Sequence, residues 1–224
     1  MKYKAIIFDM DGTIIDTEHI WQEATRTLIT SRGIPLTCEL EQELSTKLAG
    51  LAMRPSCTLI KDRLNLRESV DQLVQEKSQH ADALYAQGVR FIPGFVEFHH
   101  YAQKHNLKMG IATNATAQTV HITNQKLNLK SLFGNHIYNI SDVNYVGKPN
   151  PAIYLHAAQQ LGIDPSACIA IEDSAHGILA AKTAGMFCIG INTAKNPLLL
   201  QESHLIIEGY TDIDLTRILE TKKD

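Results

Sequence analysis

The stretch Ala5-Ile6-Ile7-Phe8-Asp9-Met10-Asp11-Gly12-Thr13 runs from an apolar, strand-like segment directly into two aspartates one residue apart. Residues two apart on a strand point to the same side, so Asp9 and Asp11 face one ligand where the strand ends. One carboxylate is then free to attack while the other moves protons. Gly12 allows a sharp turn beside a phosphate, and Thr13 adds a hydroxyl donor at the same place. The plain alternative is an Asp-Gly turn after a buried strand. Three later segments decide against it.

Working outward, apolar strand-like runs recur at Lys4 to Phe8, Lys108 to Ala112, His136 to Ile140, Cys168 to Ile171, Phe187 to Ile191 and His204 to Ile207. Helical patterns separate the later ones, at Pro93 to Asn106, Ala117 to Leu127, Pro151 to Leu161 and His176 to Ala184, the last stopped by Gly185. Strands alternating with helices imply an α/β fold, a parallel sheet with helices on both faces. Ligands in such sheets bind at the carboxyl ends of the strands.

The rhythm breaks between Asp16 and Gly88, where no strand pattern is found. Segments Trp21 to Ser31, Cys38 to Leu48, Ser56 to Leu64 and Arg67 to Ala86 carry apolar residues three and four apart, the pattern of a small helical bundle. The sequence therefore divides into a core domain of residues 1–15 and 89–224 and an inserted all-α domain of residues 16–88. Asp16 and Gly88 to Pro93 mark the hinges. An insertion one turn beyond the aspartate pair sits over the strand ends, where it could act as a lid. A structural helical hairpin is the alternative.

Composition narrows the function. The chain has 224 residues, 44% hydrophobic and 20% charged, as in an ordinary globular protein. A net charge of -3 with scattered Lys and Arg argues against nucleic-acid binding. No apolar run is long enough for a membrane span and no leader pattern precedes the first strand, so a cytoplasmic protein is expected. Cys38, Cys57, Cys168 and Cys188 lack metal spacing and are expected to be buried reduced thiols. His99, His100 and His105 are expected on a polar helix, solvated or locally bonded.

Four motifs fall at the ends of different expected strands: Asp9-x-Asp11-Gly12-Thr13, Thr113-Asn114, Lys148-Pro149 and Glu172-Asp173-Ser174. In a parallel sheet they converge. Together with Ile6 to Glu18, Gly147 to Pro151 and Ile171 to Gly177, they resemble the haloacid dehalogenase-like hydrolase superfamily, over essentially the whole chain. The position of the helical insertion resembles the branch with beta-phosphoglucomutase and small sugar-phosphate and phosphoglycolate phosphatases. The resemblance implies a Rossmann-like α/β core with an all-α cap domain, and a magnesium-dependent phosphatase acting on a small phosphorylated metabolite.

Each residue type suits that chemistry. A phosphate monoester dianion repels nucleophiles, so catalysis demands charge neutralisation and alignment. Asp9 is the expected nucleophile, forming an aspartyl-phosphate. Asp11 is the expected general acid and then base, and by resemblance its backbone carbonyl touches the metal. Asp173, helped by Glu172, adds hard oxygen ligands that with Asp9 suit Mg2+. Lys148 balances the charge around Asp9, held by Pro149-Asn150-Pro151 at a helix start. By resemblance, Thr113 and Asn114 donate to phosphate oxygens; capping of the following helix is compatible with that.

In the insertion, Gly50 to Arg54 looks like the family's specificity loop, and Arg54 is expected to clasp a distal polar group. Lys47, Lys61 and Lys77 are expected to be solvated rather than Schiff-base formers. A sugar phosphomutase shares the core chemistry. Such mutases carry a histidine where this chain has Trp21, and His19 lies two positions early. Halide displacement fits less well, since that branch lacks the aspartate retained as Asp11. A ligand-binding or regulatory module on an inactive scaffold is the non-enzyme alternative. A monomer is expected, because no helix shows an unpaired apolar stripe.

Overall fold

In strand β1 (Ala5–Phe8) alternate side chains enter two different interiors. Ile6 and Phe8 join an aromatic-rich cluster with Phe95, Phe98, Phe133 and Tyr210. Ala5 and Ile7 face the other way, toward Ala157, Ala158, Ala180 and Ala181. A sheet buried on both faces needs apolar residues at every position, and that is why these strands read as continuous runs rather than alternating ones. The structure is a computed structural model and describes residues 2–220.

The remaining strands are β2 (Lys108–Ala112), β3 (Ile137–Tyr138), β4 (Cys168–Glu172), β5 (Phe187–Ile191) and β6 (Leu205–Ile207). They form one six-stranded sheet in the order β3-β2-β1-β4-β5-β6, parallel throughout. The order reverses at β1, which places the crevice for a ligand at the carboxyl ends of β1 and its neighbours. Phe8 pairs with Ile111 on one side and Ile171 on the other. Asp9, Thr113 and Asp173 therefore leave the sheet close together.

Between β1 and β2 the chain builds α1 (Glu18–Thr30), α2 (Cys38–Leu48), α3 (Met53–Leu64) and α4 (Val70–Gln87) before α5 (Phe95–Lys104) returns to the sheet. These four helices have an apolar centre of their own, with Leu28, Ile29, Leu44, Cys57, Ile60 and Leu73 buried. The entering and leaving segments run side by side: the Asp16 amide donates to the Arg90 carbonyl at 3.0 Å and the Ile92 amide to the Ile14 carbonyl at 2.9 Å. The Arg90 guanidinium also holds Asp16 at 2.6 Å. The rest of the sheet's cover comprises α6 (Ala117–Leu127), α7 (Leu129–Phe133), α8 (Ala152–Leu161), α9 (Ala175–Thr183) and α10 (Leu215–Glu220).

The structure corrects several expectations. β3 keeps only two residues because it is the sheet's edge and has a single partner, β2. The helix expected from Pro93 begins at Phe95, since Gly94 adopts a left-handed conformation, φ 80°, at its cap. Cys57, Cys168 and Cys188 are buried, but Cys38, the first residue of α2, is exposed. Of the two alternatives for His99, it is bonded rather than solvated: it is buried beside Phe95 and Phe133, its Nε2 3.1 Å from the Leu132 carbonyl. No helix among the described residues is long and apolar enough to cross a membrane.

Candidate active site

Asp9 follows β1 directly, and its backbone amide still donates to the Ile171 carbonyl at 3.0 Å, so the strand ladder fixes its position. Its carboxylate is nearly buried and meets the Lys148 ammonium at 2.5 Å. Lys148, also buried, reaches Glu172 at 2.6 Å and so bridges two carboxylates. The Tyr154 ring lies under the ammonium, 4.9 Å from centroid to Nζ, and the Tyr154 hydroxyl donates to Glu172 at 2.7 Å. The other Glu172 oxygen accepts from the Ser174 hydroxyl and the Asp173 amide, each at 3.2 Å. Glu172 is thus held from four sides.

Three carboxylates crowd one lysine. Burial, aided by Glu172 and Asp11, pushes the Asp9 carboxyl up to about 8 against the pull of Lys148. Burial, Asp9 and Glu172 likewise drive Asp173 well above the usual carboxylate range. Burial works against the Lys148 ammonium, yet Asp9 and Glu172 outweigh it and hold the lysine charged. The cluster is short of positive charge, and Asp9, Glu172 and Asp173 offer oxygens within 4.8 Å of one another. An all-oxygen set of this kind fits a hard divalent cation. Gly12, at φ 74°, completes the cradle: a Cβ there would lie 2.1 Å from an Asp173 oxygen.

Asp11 is placed differently. The Thr17 hydroxyl donates to its Oδ1 at 2.9 Å, and the Tyr85 hydroxyl donates to the same oxygen. Burial pushes the Asp11 carboxyl above its ordinary value, although Tyr85, Thr17 and the Trp21 side chain hold it down. A carboxyl whose hold on its proton is strengthened by burial, beside a second carboxylate, is an arrangement suited to acid catalysis.

Comparison with known proteins agrees with this geometry. Residues 6–191 match the model of the haloacid dehalogenase-like hydrolases. The chain belongs to that family. It is 29% identical to the validoxylamine A 7'-phosphate phosphatase of Streptomyces hygroscopicus subsp. limoneus over 94% of this chain and 96% of the relative. It is 27% identical to a phosphorylated carbohydrates phosphatase of Thermotoga maritima over 82% of each. Among solved structures, the beta-phosphoglucomutase of Clostridium difficile superposes with a TM-score of 0.81 at 25% identity, covering 97% of this chain and 96% of that one. Its kinship with phosphatases makes this haloacid dehalogenase-like protein a phosphoric monoester hydrolase.

A cavity of about 510 Å³ runs from the family's aspartate pair into the helical insertion. Asp9, Asp11, Thr113, Asn114, Lys148 and Asp173 all border it. Thr113 is buried at the end of β2 and accepts from the Ala115 amide at 3.0 Å, leaving its own proton for the cavity. The Asn114 amide clasps the insertion instead: its nitrogen donates to the Gly50 carbonyl at 3.1 Å, and its oxygen accepts from the Lys148 amide at 3.0 Å.

Arg54 is not brought to the site. Its side chain is 64% exposed and pairs with Asp71, while Met53 and Ser56 line the cavity from the other side of α3. One residue along a helix is a turn of about 100°, enough to carry Arg54 outside. The reverse error concerns Lys77. It is buried, lines the cavity and donates to the Ser56 hydroxyl at 2.7 Å. A signal was present: Leu73, Lys77, Ala81 and Tyr85 recur every four residues, so position 77 lies on the buried stripe of α4. Trp21 lines the cavity as well, whereas the His19 side chain is 65% exposed.

Proposed function

We propose that this hydrolase removes the phosphoryl group from a small sugar phosphate through an aspartyl-phosphate on Asp9, with magnesium as cofactor. The observation that carries the reading is the buried Lys148 bridge between Asp9 and Glu172, with Asp173 beside it and Asp11 two residues along. An Asp9 oxygen attacks phosphorus as the ester P–O bond breaks, and Asp11 gives its proton to the departing alkoxide. Asp11 then takes a proton from water as that water attacks phosphorus and the Asp9–phosphorus bond breaks. The Asp9 carboxylate and the Asp11 acid are both restored and inorganic phosphate leaves.

Lys148 balances the negative charge that gathers at Asp9 throughout, and Thr113 orients the phosphate oxygens. Asp9, Asp173 and the Asp11 backbone carbonyl would hold the metal, with Glu172 behind them. Bound there, magnesium supplies positive charge that screens the phosphate's repulsion of the nucleophile.

Residues 16–88 are read as a cap domain over a core of residues 1–15 and 89–224. The cavity is of a size that encloses a compact ligand. On the cap side it offers Gln22, Thr25, Ser45, Ser56 and Lys77, hydrogen-bonding groups suited to a polyol. Phosphorylated carbohydrates are the named substrates of one relative, which supports the same class. All four cysteines are free, in keeping with a reducing cytoplasm.

Phosphate release from a panel of sugar phosphates, phosphoglycolate and nucleotides, with magnesium or with chelator, tests the reading. Release that needs magnesium and vanishes in Asp9→Asn is expected. Sugar-phosphate isomerisation without net release would favour the phosphomutase reading, which the likeness to beta-phosphoglucomutase supports. Neither activity on any compound would sink the enzymatic reading.

A further inference from the structure

The geometry points to Tyr85, at the cap end of the hinge, as a positioning residue that sets the rotation of the Asp11 carboxyl for proton transfer. The inference rests on the reading of Asp11 as general acid and base. Tyr85 lies near the end of α4, fully buried, with its ring edge-on to Trp21 at 6.0 Å. Its hydroxyl donates to Oδ1 of Asp11, the same oxygen that Thr17 holds at 2.9 Å. Burial and the adjacent Asp11 push the Tyr85 phenol well above its ordinary value, so it remains a donor.

Two hydroxyls on one oxygen stop the carboxyl from turning about its Cβ–Cγ bond. Proton exchange with the leaving group and with water then falls to Oδ2. The donors come from opposite ends of the insertion, Thr17 just before α1 and Tyr85 from the close of α4. Asp11 itself is tied to the core side, through its bridge to Ile15. Proton transfer is thereby aligned by contacts that exist only while the hinge segments lie together.

A leaving group that is a weak base departs without a proton, whereas a stronger base needs one. Phenyl phosphate and 4-nitrophenyl phosphate differ little in shape and strongly in this respect. Tyr85→Phe keeps the ring against Trp21 and removes the donor. It is expected to lower kcat/KM for phenyl phosphate by about ten- to a hundredfold, the loss typical of a misaligned acid. For 4-nitrophenyl phosphate kcat/KM should stay within about twofold of wild type while kcat and KM fall together, because only the water-activating half-reaction is slowed. In an Asp11→Asn background the same change should add nothing.

Equal loss on both esters, no loss on either, or a full further loss in the Asp11→Asn background would overturn the role of Tyr85 and leave the phosphatase reading standing. A wild-type protein that releases phosphate neither from these esters nor from any sugar phosphate would remove both. Thr17→Val takes away the other donor and must give the same leaving-group signature, which keeps the inference testable if Tyr85→Phe folds poorly.

Discussion

Lys77 has an ammonium deep in the helical insertion and, among the described residues, no carboxylate facing it. Only the Ser56 hydroxyl, at 2.7 Å, meets it, and burial lowers its pKa to about 8 despite a small opposing effect of Cys57. A base with a depressed pKa binds protons less readily folded than unfolded. Below pH 8 the folded chain must keep a buried charge, and this cost fades as pH rises toward the free lysine value of about 10.4. Lys77→Met should therefore stabilise the protein at pH 7 by an amount on the order of 3 kcal/mol, shrinking to near zero by about pH 10.5. Urea unfolding at a series of pH values measures it, and a stabilisation that does not shrink would refute the linkage. A residue that costs stability and lines the cavity is explained by what it does for a ligand. The same variant should lose affinity for the sugar phosphate.

The junction of β4 and α9 shows what an element can and cannot reveal in sequence. The apolar run and the acidic pair made the strand and its carboxyl end legible, and the Ser174 cap of α9, accepting from the Gly177 amide at 3.1 Å, follows the usual start of a helix. Why position 177 is glycine was not legible. A Cβ there would lie 1.9 Å from one Glu172 oxygen and 2.1 Å from the other, a close approach between turn and strand that exists only once the sheet has formed. Gly177→Ala must displace Glu172 from Lys148 and Tyr154. It should cost about 1–3 kcal/mol by overpacking and abolish most turnover. Thermal unfolding together with phosphate release checks this; an active variant of unchanged stability would show that the Glu172 carboxylate has room to move. At the edge the sequence promised more than the sheet delivers, since β3 has the pattern of a longer strand but only one neighbour to pair with.

At the scale of the whole molecule, the parallel sheet was readable from the alternation of strands and helices, and so was the convergence of four motifs at its strand ends; the order of the strands was not. What the sequence could not show is where the insertion touches the core, because one loop of the insertion meets three separate core positions with no shared pattern. The structure places the Ala49 to Ala52 segment against the core: His176 Nδ1 meets the Ala49 carbonyl at 2.9 Å, Asn114 donates to the Gly50 carbonyl at 3.1 Å, and a Cβ on Gly147 would strike Ala52. Asn114 thus ties the insertion to the core, where sequence reasoning assigned it to the phosphate. The two roles separate in Asn114→Asp, which keeps the oxygen that accepts from the Lys148 amide and loses the donor to Gly50. Losing one hydrogen bond of about 1 kcal/mol shifts an open-to-closed equilibrium constant roughly fivefold. If Asn114 is a clasp, amide exchange over residues 49–52 should quicken and kcat/KM should fall by about that factor, with inhibition by inorganic phosphate little changed. If it grips phosphate, a carboxylate at that position should weaken phosphate inhibition sharply while exchange over residues 49–52 stays as in the wild type.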